Sequence, residues 1–363
     1  MSGRRTCPIR LGMVIGQLSA GGAEGQLWML CRGLDRRAVA PVVYCLSDRT
    51  QPYGPLIEAT DVPVRIISGS RVARVRALRW WLERDRIDVV HAWLFIANAF
   101  AWLANRRAQR PLLTSARNCK RQGRLLDWLN RRAFAASDVI VANSQEVARY
   151  IAREYGAPPE RTTVVYNAIE TDRFTCSCGP HADGPCVAMV GRLVPQKNPL
   201  LFVAAAAAVR AQIPNARFVL IGGGPLRAEV EAMVTAAGLR ECCAVIGERH
   251  DVPELLRQAD LFWLTSDWEG LPNVVLEAMA SGLPVVATDV GGARELVRSG
   301  EDGFLIRAGD RDALVAHSVD LLTNPVKRHR LARAARARAE EFSTVRMVSA
   351  LSQLYDKTLG RNH

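Results

Sequence analysis

The sequence has no apolar run approaching the roughly 18 residues that a membrane-crossing helix needs. The apolar segment 11–16, which follows three arginines, is too short for the hydrophobic region of a signal peptide with a small-residue cleavage site. With 363 residues, 49% hydrophobic and 23% charged, the composition also excludes a disordered, collagen-like or small disulfide-rich protein. We therefore expect a globular protein with no membrane span, and its length predicts about two domains.

Acidic residues are scarce in the first half of the chain. Residues 1–166 contain 26 basic and 13 acidic side chains, whereas residues 167–363 contain 22 and 23. The formal charge is thus +13 in the first half and −1 in the second, which indicates an anionic partner for the first half alone. Nucleic acid, an acidic membrane surface and a phosphorylated substrate all fit this charge.

The chain has nine cysteines, an odd number, and several lie inside apolar runs, where cysteine behaves as a small hydrophobic residue. This favours a reducing, cytoplasmic environment. Cys176, Cys178 and Cys186, with His181, contain enough ligand types for zinc, but their spacing is not typical of a structural zinc site. We favour a loop with free thiols.

Short β-branched runs alternate with longer amphipathic ones along the whole chain, which predicts βαβ units and parallel sheets. The alternation stops between 174 and 185, a segment rich in Cys, Gly and Pro, and then resumes. We predict an α/β protein with two Rossmann-like domains facing each other across a cleft. The expected parts are an N-terminal domain (1–170), a linker (171–185), a C-terminal domain (186–340) and a final helix (341–363) that packs back on the N-terminal domain.

Three short motifs have plain structural interpretations. The loop 16–24, with Gly21 and Gly22, leads into a helix and fits either a phosphate or a tight turn. For the glycines at 222–224 we favour a structural turn, since any strand-to-helix connection uses such residues. Asp310 and Asp312 form an Asp-x-Asp pair, but they directly precede a helix, so we interpret them as helix-capping residues rather than metal ligands.

Two segments of the second half have more specific patterns. The first segment is Gly191-Arg-Leu-Val-Pro-Gln-Lys-Asn198. Arg192 and Lys197 lie there in a loop that follows a predicted strand, and two cations in such a loop are suited to bind a diphosphate. The alternative is a solvated basic loop. In the second segment, Glu269 follows a strand and Glu277 lies on the next helix. One carboxylate can face sugar hydroxyl groups, the other a ribose diol, and backbone N–H groups between them can meet phosphate oxygens.

These segments, the run from Glu269 to Gly292 and the Gly21-Gly22 loop together resemble retaining glycosyltransferases of family 4, which have the GT-B fold. The resemblance extends from about Gly12 to Leu322 and is most specific in the second half. It implies a nucleotide-sugar donor bound by the C-terminal domain, an acceptor bound by the N-terminal domain, and transfer with retention at the anomeric carbon. No metal or other cofactor is implied.

The resemblance also assigns roles to individual residues. Arg192 and Lys197 would neutralise the donor diphosphate, Glu269 would contact the donor sugar, and Glu277 the ribose. The backbone of Gly270, Leu271, Pro272 and Asn273 would meet the sugar and phosphates, and Gly21-Gly22 the distal phosphate. Because retention in this family is usually explained by same-face attack, the two glutamates are not a glycosidase pair.

On the acceptor side the sequence departs from the family. Many members have a histidine just after the strand at 111–115, and here Ala116, Arg117 and Asn118 stand in its place. Arg117, Asn118 or His91 would take over the positioning of the acceptor. His91 fits equally well as a hydrogen-bonded histidine at a strand end.

The basic first half suits a family member that works on an acidic membrane surface. Arg71, Arg74, Arg76 and Arg79 accompany Trp80 and Trp81, and the stretch 117–132 adds cations around Trp128. An arginine-rich solvated face is the alternative. We predict a cytoplasmic enzyme, peripheral on the inner face of the membrane, that extends a glycan or lipid-linked saccharide and binds no nucleic acid. The rival functions are a nucleotide-sugar epimerase on the same scaffold and a non-catalytic membrane- or nucleic-acid-binding module.

Overall fold

A computed structural model describes residues 7–175 and 184–360 of the chain. The chain divides into two compact units. Unit 1 comprises the residues up to Ala168 and the segment from Thr344 onward, and unit 2 comprises Ile169–Ser343. Within the described ranges, no helix has both the length and the apolar character that a bilayer crossing requires. Residues Cys176, Cys178 and His181 lie outside the described ranges.

Unit 1 alternates strands and helices, as the hydrophobic pattern predicts. Its strands are β1 (Ile9–Ile15), β2 (Val39–Cys45), β3 (Val64–Ile66), β4 (Val89–Trp93), β5 (Leu112–Ala116), β6 (Val139–Ala142) and β7 (Thr162–Val164). Its helices are α1 (Gly22–Gly33), α2 (Tyr53–Glu58), α3 (Arg71–Arg84), α4 (Leu94–Asn105), α5 (Arg124–Ala135) and α6 (Gln145–Tyr155), and α14 (Thr344–Thr358) completes the unit.

Unit 2 repeats the same plan. Its strands are β8 (Cys186–Val190), β9 (Arg217–Ile221), β10 (Cys243–Gly247), β11 (Leu261–Leu264), β12 (Val285–Thr288) and β13 (Gly303–Ile306). Its helices are α7 (Pro199–Gln212), α8 (Arg227–Ala236), α9 (Val252–Leu256), α10 (Asn273–Ala280), α11 (Ala293–Leu296), α12 (Arg311–Thr323) and α13 (Pro325–Glu340).

Each unit contains one parallel sheet, so the predicted α/β organisation is confirmed. The strand order is β3-β2-β1-β4-β5-β6-β7 in unit 1 and β10-β9-β8-β11-β12-β13 in unit 2. In both sheets the order reverses beside the first strand, between β1 and β4 and between β8 and β11. Ligands of open parallel sheets bind at the carboxyl ends of the strands on either side of such a reversal.

The C-terminal tail forms two helices, α13 and α14. The second begins at Thr344, three residues after the predicted start of the final helix at 341. The break between α13 and α14 contains Phe342, which is buried and whose carbonyl accepts a hydrogen bond from the Ile169 N–H at 2.9 Å. Helix α14 then contributes Met347, Leu351 and Tyr355 to the hydrophobic core of unit 1. Burial of this apolar stripe, rather than helix propensity, therefore decides where the last helix packs.

Candidate active site

The loops that follow β8 and β11 meet at the reversal of strand order in unit 2. Lys197, in the loop after β8, places its Nζ 2.5 Å from Oε1 of Glu269, in the loop after β11. The Ser266 hydroxyl donates to the same Glu269 oxygen at 2.6 Å. The side chains of Lys197 and Glu269 are only 14% and 7% exposed. The structure thus pairs two residues that the sequence assigned separately, one to the diphosphate and the other to the sugar.

The backbone around this pair is held by specific hydrogen bonds. The Thr265 hydroxyl donates to the Lys197 carbonyl at 2.8 Å. Asn198 adopts a left-handed conformation, with φ of 46°, and its side chain caps α7 by accepting from the Leu201 N–H at 3.2 Å. Its amide also donates to Asp267 at 3.0 Å, which joins the two loops. These hydrogen bonds therefore fix the position of the Lys197 backbone in the loop.

Glycines allow neighbouring loops to approach the site closely. Gly291 has φ of +53°, and a Cβ built there would lie 2.2 Å from the Glu269 carbonyl oxygen. A Cβ on Gly222 would similarly lie 2.0 Å from the Gly191 carbonyl oxygen, beside Arg192. The glycines at 222–224 thus serve as close-packing residues for the loop after β8, in line with the structural interpretation.

Glu277 lies on α10, one turn into the helix that follows the Glu269 loop. Burial raises the pKa of its carboxyl to about 7, and the positive charges of Arg173 and Lys197 reduce this rise. The Glu277 side chain is partly exposed, so a ligand can reach its carboxyl. A partner that donates hydrogen bonds stabilises the ionised carboxylate, and a vicinal diol is such a partner.

The remaining donor-side candidates flank this centre. Arg192 is exposed at the tip of the loop after β8 and makes no ion pair within the described residues. Leu271 and Pro272 are buried, Gly270 accepts a hydrogen bond from the Gly292 N–H at 2.6 Å, and Asn273 is the first residue of α10. The N-terminal end of α10 carries the positive end of the helix dipole, which favours an anion.

The other predicted site residues lie in unit 1. Gly21 precedes α1 with an extended backbone and Gly22 is its first residue, and both are exposed. The start of α1 thus lies after the carboxyl end of β1, where the helix dipole favours an anion.

His91 is not available to an acceptor. It is fully buried on β4, its Nδ1 lies 2.9 Å from the Tyr355 hydroxyl and its Nε2 lies 2.7 Å from the Ser115 hydroxyl. Burial, with a smaller effect of Arg117, lowers its pKa to about 3, so the imidazole is neutral. Both ring nitrogens are occupied by the core, and the acceptor-side role that we predicted for His91 is wrong; it is a hydrogen-bonded histidine of the strand.

Arg117 and Asn118 lie just after β5, at the carboxyl edge of the unit 1 sheet. The Arg117 guanidinium stacks over Trp93 at 4.1 Å and donates to Asn167 Oδ1 at 2.8 Å. Burial lowers the pKa of Arg117 to about 10, which leaves it charged. Asn118 is partly exposed, and its Oδ1 is buried without a partner.

Two other sequence motifs have structural roles. Asp310 caps α12 by accepting from the Ala313 N–H at 3.0 Å, as the capping interpretation predicts. Asp312 lies in the first turn of α12 and pairs with Arg311 at 3.0 Å. Cys186 is a buried residue of β8, and burial raises the pKa of its thiol to about 11. The seven described cysteines are all free thiols.

Sequence reasoning did not identify several residues that shape these sites. Ser266 and Thr265 hold Glu269 and Lys197, and Glu24 and Trp93 surround Arg117. Ser266 and Thr265 immediately precede the Glu269 motif, but nothing in their spacing distinguishes them from ordinary strand-end residues. Glu24 was visible only as the acidic residue of a helix start, which is a common feature of helices.

Comparisons with known proteins identify the family of the chain. The family profile described as glycosyl transferases group 1 matches residues 179–338, and the profile glycosyltransferase family 4 matches residues 20–173. The chain is 30% identical to a D-inositol 3-phosphate glycosyltransferase of Thermobispora bispora, over 86% of this chain and 79% of that protein. It is 27% identical to the Escherichia coli UDP-Gal:alpha-D-GlcNAc-diphosphoundecaprenol alpha-1,3-galactosyltransferase, over 76% of each chain.

Solved structures share the fold. HepE of Anabaena, crystallised with UDP and glucose, superposes with a TM-score of 0.86 at 23% identity, covering 96% of this chain and all of that one. Sucrose-phosphate synthase of Thermosynechococcus elongatus gives a TM-score of 0.84 at 19% identity, covering 98% of this chain and all of that one. The two parallel sheets, the loops after β8 and β11 and both family profiles lead to the same assignment: the chain belongs to glycosyltransferase family 4, has the GT-B fold and is a glycosyltransferase.

Proposed function

We propose that this protein is a retaining, metal-independent glycosyltransferase that moves a sugar from a nucleotide-sugar donor to a glycan or lipid-linked saccharide acceptor. The buried contact between Lys197 and Glu269, with Glu277 nearby, is the observation that carries the proposal. It places a cation and two carboxylates at the carboxyl ends of β8 and β11, where parallel sheets bind ligands.

Lys197 is suited to stabilise a departing diphosphate, because its charge is held in place before the reaction begins. The donor would compete with Glu269 for this cation, and Glu269 would then be free to accept hydrogen bonds from sugar hydroxyl groups. Arg192, exposed on the same loop, would supply a second positive charge. The N-terminal end of α10, through its dipole, would attract phosphate oxygens, and Glu277 would bind the ribose diol.

This arrangement supports leaving-group stabilisation by side chains rather than by a metal ion. The acidic residues of the one Asp-x-Asp motif, Asp310 and Asp312, are engaged in a helix cap and an ion pair. The proposed retention follows from the resemblance to family 4, in which same-face attack by the acceptor is the usual explanation.

The acceptor class is suggested by the relatives. The name of the Escherichia coli relative specifies a UDP-galactose donor and an acceptor sugar on diphosphoundecaprenol. A lipid-linked acceptor of this kind would bring the enzyme to the inner face of the cytoplasmic membrane, which fits the formal charge of +13 in the first half.

The function is tested by incubating the protein with UDP-, GDP- and ADP-sugars, first alone and then with a bacterial lipid extract. We expect release of nucleoside diphosphate that increases when the extract is present, with a glycosylated lipid as product and with EDTA having no effect. An isomerised sugar formed without any acceptor would instead establish an epimerase. Lipid binding without consumption of any nucleotide sugar would establish a non-catalytic module.

One layer of helices in unit 1 supports the membrane association. Helix α4 packs between α3 and α5. Trp80 on α3 and Trp128 on α5 are 49% and 50% exposed. The Arg84 guanidinium lies 4.9 Å from the centre of the Trp80 ring, and the Arg132 guanidinium lies 5.5 Å from that of Trp128. Exposed aromatic rings beside arginines are typical of surfaces that enter the headgroup zone of a bilayer. Arg79, by contrast, donates to carbonyl groups at the end of α4 and has a structural role.

Replacing Trp80 and Trp128 together with serine is expected to weaken binding to vesicles containing phosphatidylglycerol by about tenfold or more, because each ring contributes on the order of 1 kcal/mol of apolar burial. Co-sedimentation measures the effect, and added salt should weaken binding of the wild type. Trp268→Ser is the matched control, since Trp268 is an exposed tryptophan of unit 2. Equal vesicle binding by the double variant and the wild type would contradict the assignment of this surface.

A further inference from the structure

A cavity in unit 2 lies at the edge of the sheet opposite to the candidate donor site. Its volume is about 540 Å³, and it is lined by α13 and by the turns that lead into β11 and β12. Asp260 directly precedes β11 and Pro284 directly precedes β12, so the cavity lies at the amino ends of these strands. Glu269 follows the carboxyl end of β11, a four-residue strand about 13 Å long. The cavity is therefore separate from the candidate donor site.

The lining of this cavity, which we call the α13 cavity, has an apolar part and a basic part. Ala259, Leu283 and Pro284 form the apolar part and are buried. Among the described residues of the lining, Asp260 is the only acidic one. The basic part belongs to α13 and consists of Arg328, His329, Arg333 and Arg336.

The excess of positive charge is a local feature of the α13 cavity, because residues 167–363 as a whole have a formal charge of −1. The one carboxylate of the lining is already engaged. Asp260 Oδ2 accepts a hydrogen bond from the Cys186 N–H at 2.9 Å, and Oδ1 lies 3.5 Å from Nη2 of Arg328. Like charges gathered in one cavity repel each other, so an anion bound there would be favourable.

Two of the four basic residues are held in place by the fold. Arg328 donates to the Leu322 carbonyl, near the end of α12, at 3.3 Å. Arg336 donates to the carbonyls of Thr171 and Phe174 at 3.1 and 2.9 Å. Their side chains are only 12% and 25% exposed. These two arginines therefore keep positive charge fixed at the cavity.

The other two, His329 and Arg333, are exposed and make no hydrogen bond or ion pair within the described residues. They lie one helical turn apart on α13 and so share a face. The basic residues of α13 outside the lining do have partners: Lys327 donates to Asp320, Arg330 to the Gly300 carbonyl and Arg338 to the Glu295 carbonyl. The α13 cations without a described partner are thus the two at the cavity, whereas a generally solvated arginine-rich face would show no such preference.

The chemistry of the α13 cavity favours a phosphate ester over other anions. A guanidinium presents paired N–H donors that match the oxygens of a phosphate. A phosphate monoester has about two negative charges and three acceptor oxygens, whereas a carboxylate has one charge and two oxygens. An inorganic ion would leave the apolar part of the lining uncovered. The volume of about 540 Å³ lies within the range of about 300–1,000 Å³ that is typical of small-molecule sites.

We propose that the α13 cavity binds a small phosphorylated organic molecule. Arg333 and His329 donate hydrogen bonds to its phosphate, and the apolar part of the lining contacts the remainder of the molecule. The proposal does not depend on the transferase function, since none of the lining residues has a role in it. A phosphate monoester is common to soluble sugar phosphates and to phosphatidic acid, and the experiment distinguishes these two sources.

The test follows the ring signal of His329 in NMR spectra of the full chain prepared with isotope-labelled histidine. The chain has six histidines, so the signal is assigned as the one that disappears in His329→Gln. Glucose 6-phosphate and dihexanoyl phosphatidic acid are titrated separately, with inorganic phosphate, glucose and sodium chloride as comparisons. We expect a saturable shift with at least one ester, at lower concentration than with inorganic phosphate, and none with glucose or sodium chloride. A stronger response to the sugar ester would identify a soluble ligand, and a stronger response to the lipid ester a membrane lipid.

Matched variants test the assignment of the residues. Arg333→Gln should weaken ester binding by about tenfold, because it removes a charged hydrogen-bond donor. Arg330→Gln removes the same charge from another exposed arginine of α13 that does not line the cavity, and it should leave binding unchanged. Lys197→Met should also keep the response, since Lys197 lies at the opposite edge of the sheet. Circular dichroism checks that each variant is folded.

Three results would overturn the proposal. The first is the absence of a saturable shift of the His329 signal with both esters and with inorganic phosphate. The second is equal weakening by Arg330→Gln and Arg333→Gln, which would indicate a general effect of charge. The third is loss of the response in a folded Lys197→Met protein, which would place the ligand in the donor site.

Discussion

Lys197→Met is expected to lower kcat for sugar transfer by about 10²–10³-fold, the usual effect of removing a preorganised charge from a transition state. Lys197 is 14% exposed and contacts Glu269 at 2.5 Å, so its charge is held in place at the carboxyl edge of β8. Because this cation is proposed to act as the leaving group departs, the loss should fall mainly on kcat rather than on KM. Steady-state release of nucleoside diphosphate measures both constants.

Two further variants make this prediction specific. The double variant Lys197→Met with Glu269→Gln removes both charges of the pair, and it should be more stable than Lys197→Met alone yet equally inactive, because a buried carboxylate without its partner is destabilising. Lys327→Met is the matched control, since Lys327 also contacts a carboxylate, Asp320, at 2.5 Å but lies on α13 and is 32% exposed. Transfer by a folded Lys197→Met protein at the wild-type rate would refute the assigned role.

Affinity for a nucleotide sugar is expected to rise about tenfold between about pH 6 and about pH 8, because the pKa of Glu277 is near 7 in the free protein. Two ribose hydroxyl groups donating to this carboxyl favour its ionised form, so binding below pH 7 must first remove a proton. Calorimetry in buffers of different ionisation enthalpy should detect the released proton. The ligand in this titration should be a nucleotide sugar rather than a free nucleoside diphosphate, because esterified phosphates do not titrate between pH 6 and pH 8.

The same pKa fixes the pH dependence of stability. In the unfolded chain the carboxyl titrates at its ordinary value of 4.5, and in the folded chain at about 7. The folded state therefore gains stability from this group in full below pH 4.5, and the gain is lost as the pH rises through 7. Stabilisation by the donor should accordingly be greatest above pH 7.

In the Glu277→Gln variant, the affinity for a nucleotide sugar should not change between pH 6 and pH 8, because the titrating carboxyl is absent. Glu231→Gln is the control, because Glu231 is an exposed glutamate of unit 2 that pairs with Arg227 at 2.7 Å, and its variant should keep the wild-type profile. An unchanged pH profile in Glu277→Gln would show that another group is responsible.

Much of the fold follows from local patterns. Strand β11 and the strands beside it are short apolar runs flanked by turn residues, and such runs predict buried parallel strands wherever they occur. The start of the last helix was predicted to within three residues, and the burial of Phe342 at the break gives its physical basis.

The donor-side motifs could also be recognised from spacing, since Lys197, Glu269 and Glu277 lie close to strand ends and to a helix start. Spacing did not show that Lys197 and Glu269 contact each other, because 72 residues separate them. Spacing also did not decide whether His91 positions the acceptor or is a hydrogen-bonded histidine at a strand end. Only its hydrogen bonds to Tyr355 and Ser115, made by side chains 264 and 24 residues away, decide that it belongs to the core.

The sequence by itself determined the class of fold, the positions of the strands and the family, because these depend on periodicity and on residues adjacent along the chain. Only the tertiary structure decided which charges are paired and which polar atoms are buried without a partner. The physical reason is that burial and hydrogen bonding depend on contacts between distant segments, and a charge excess or a motif specifies neither the neighbours of a side chain nor its exposure to water.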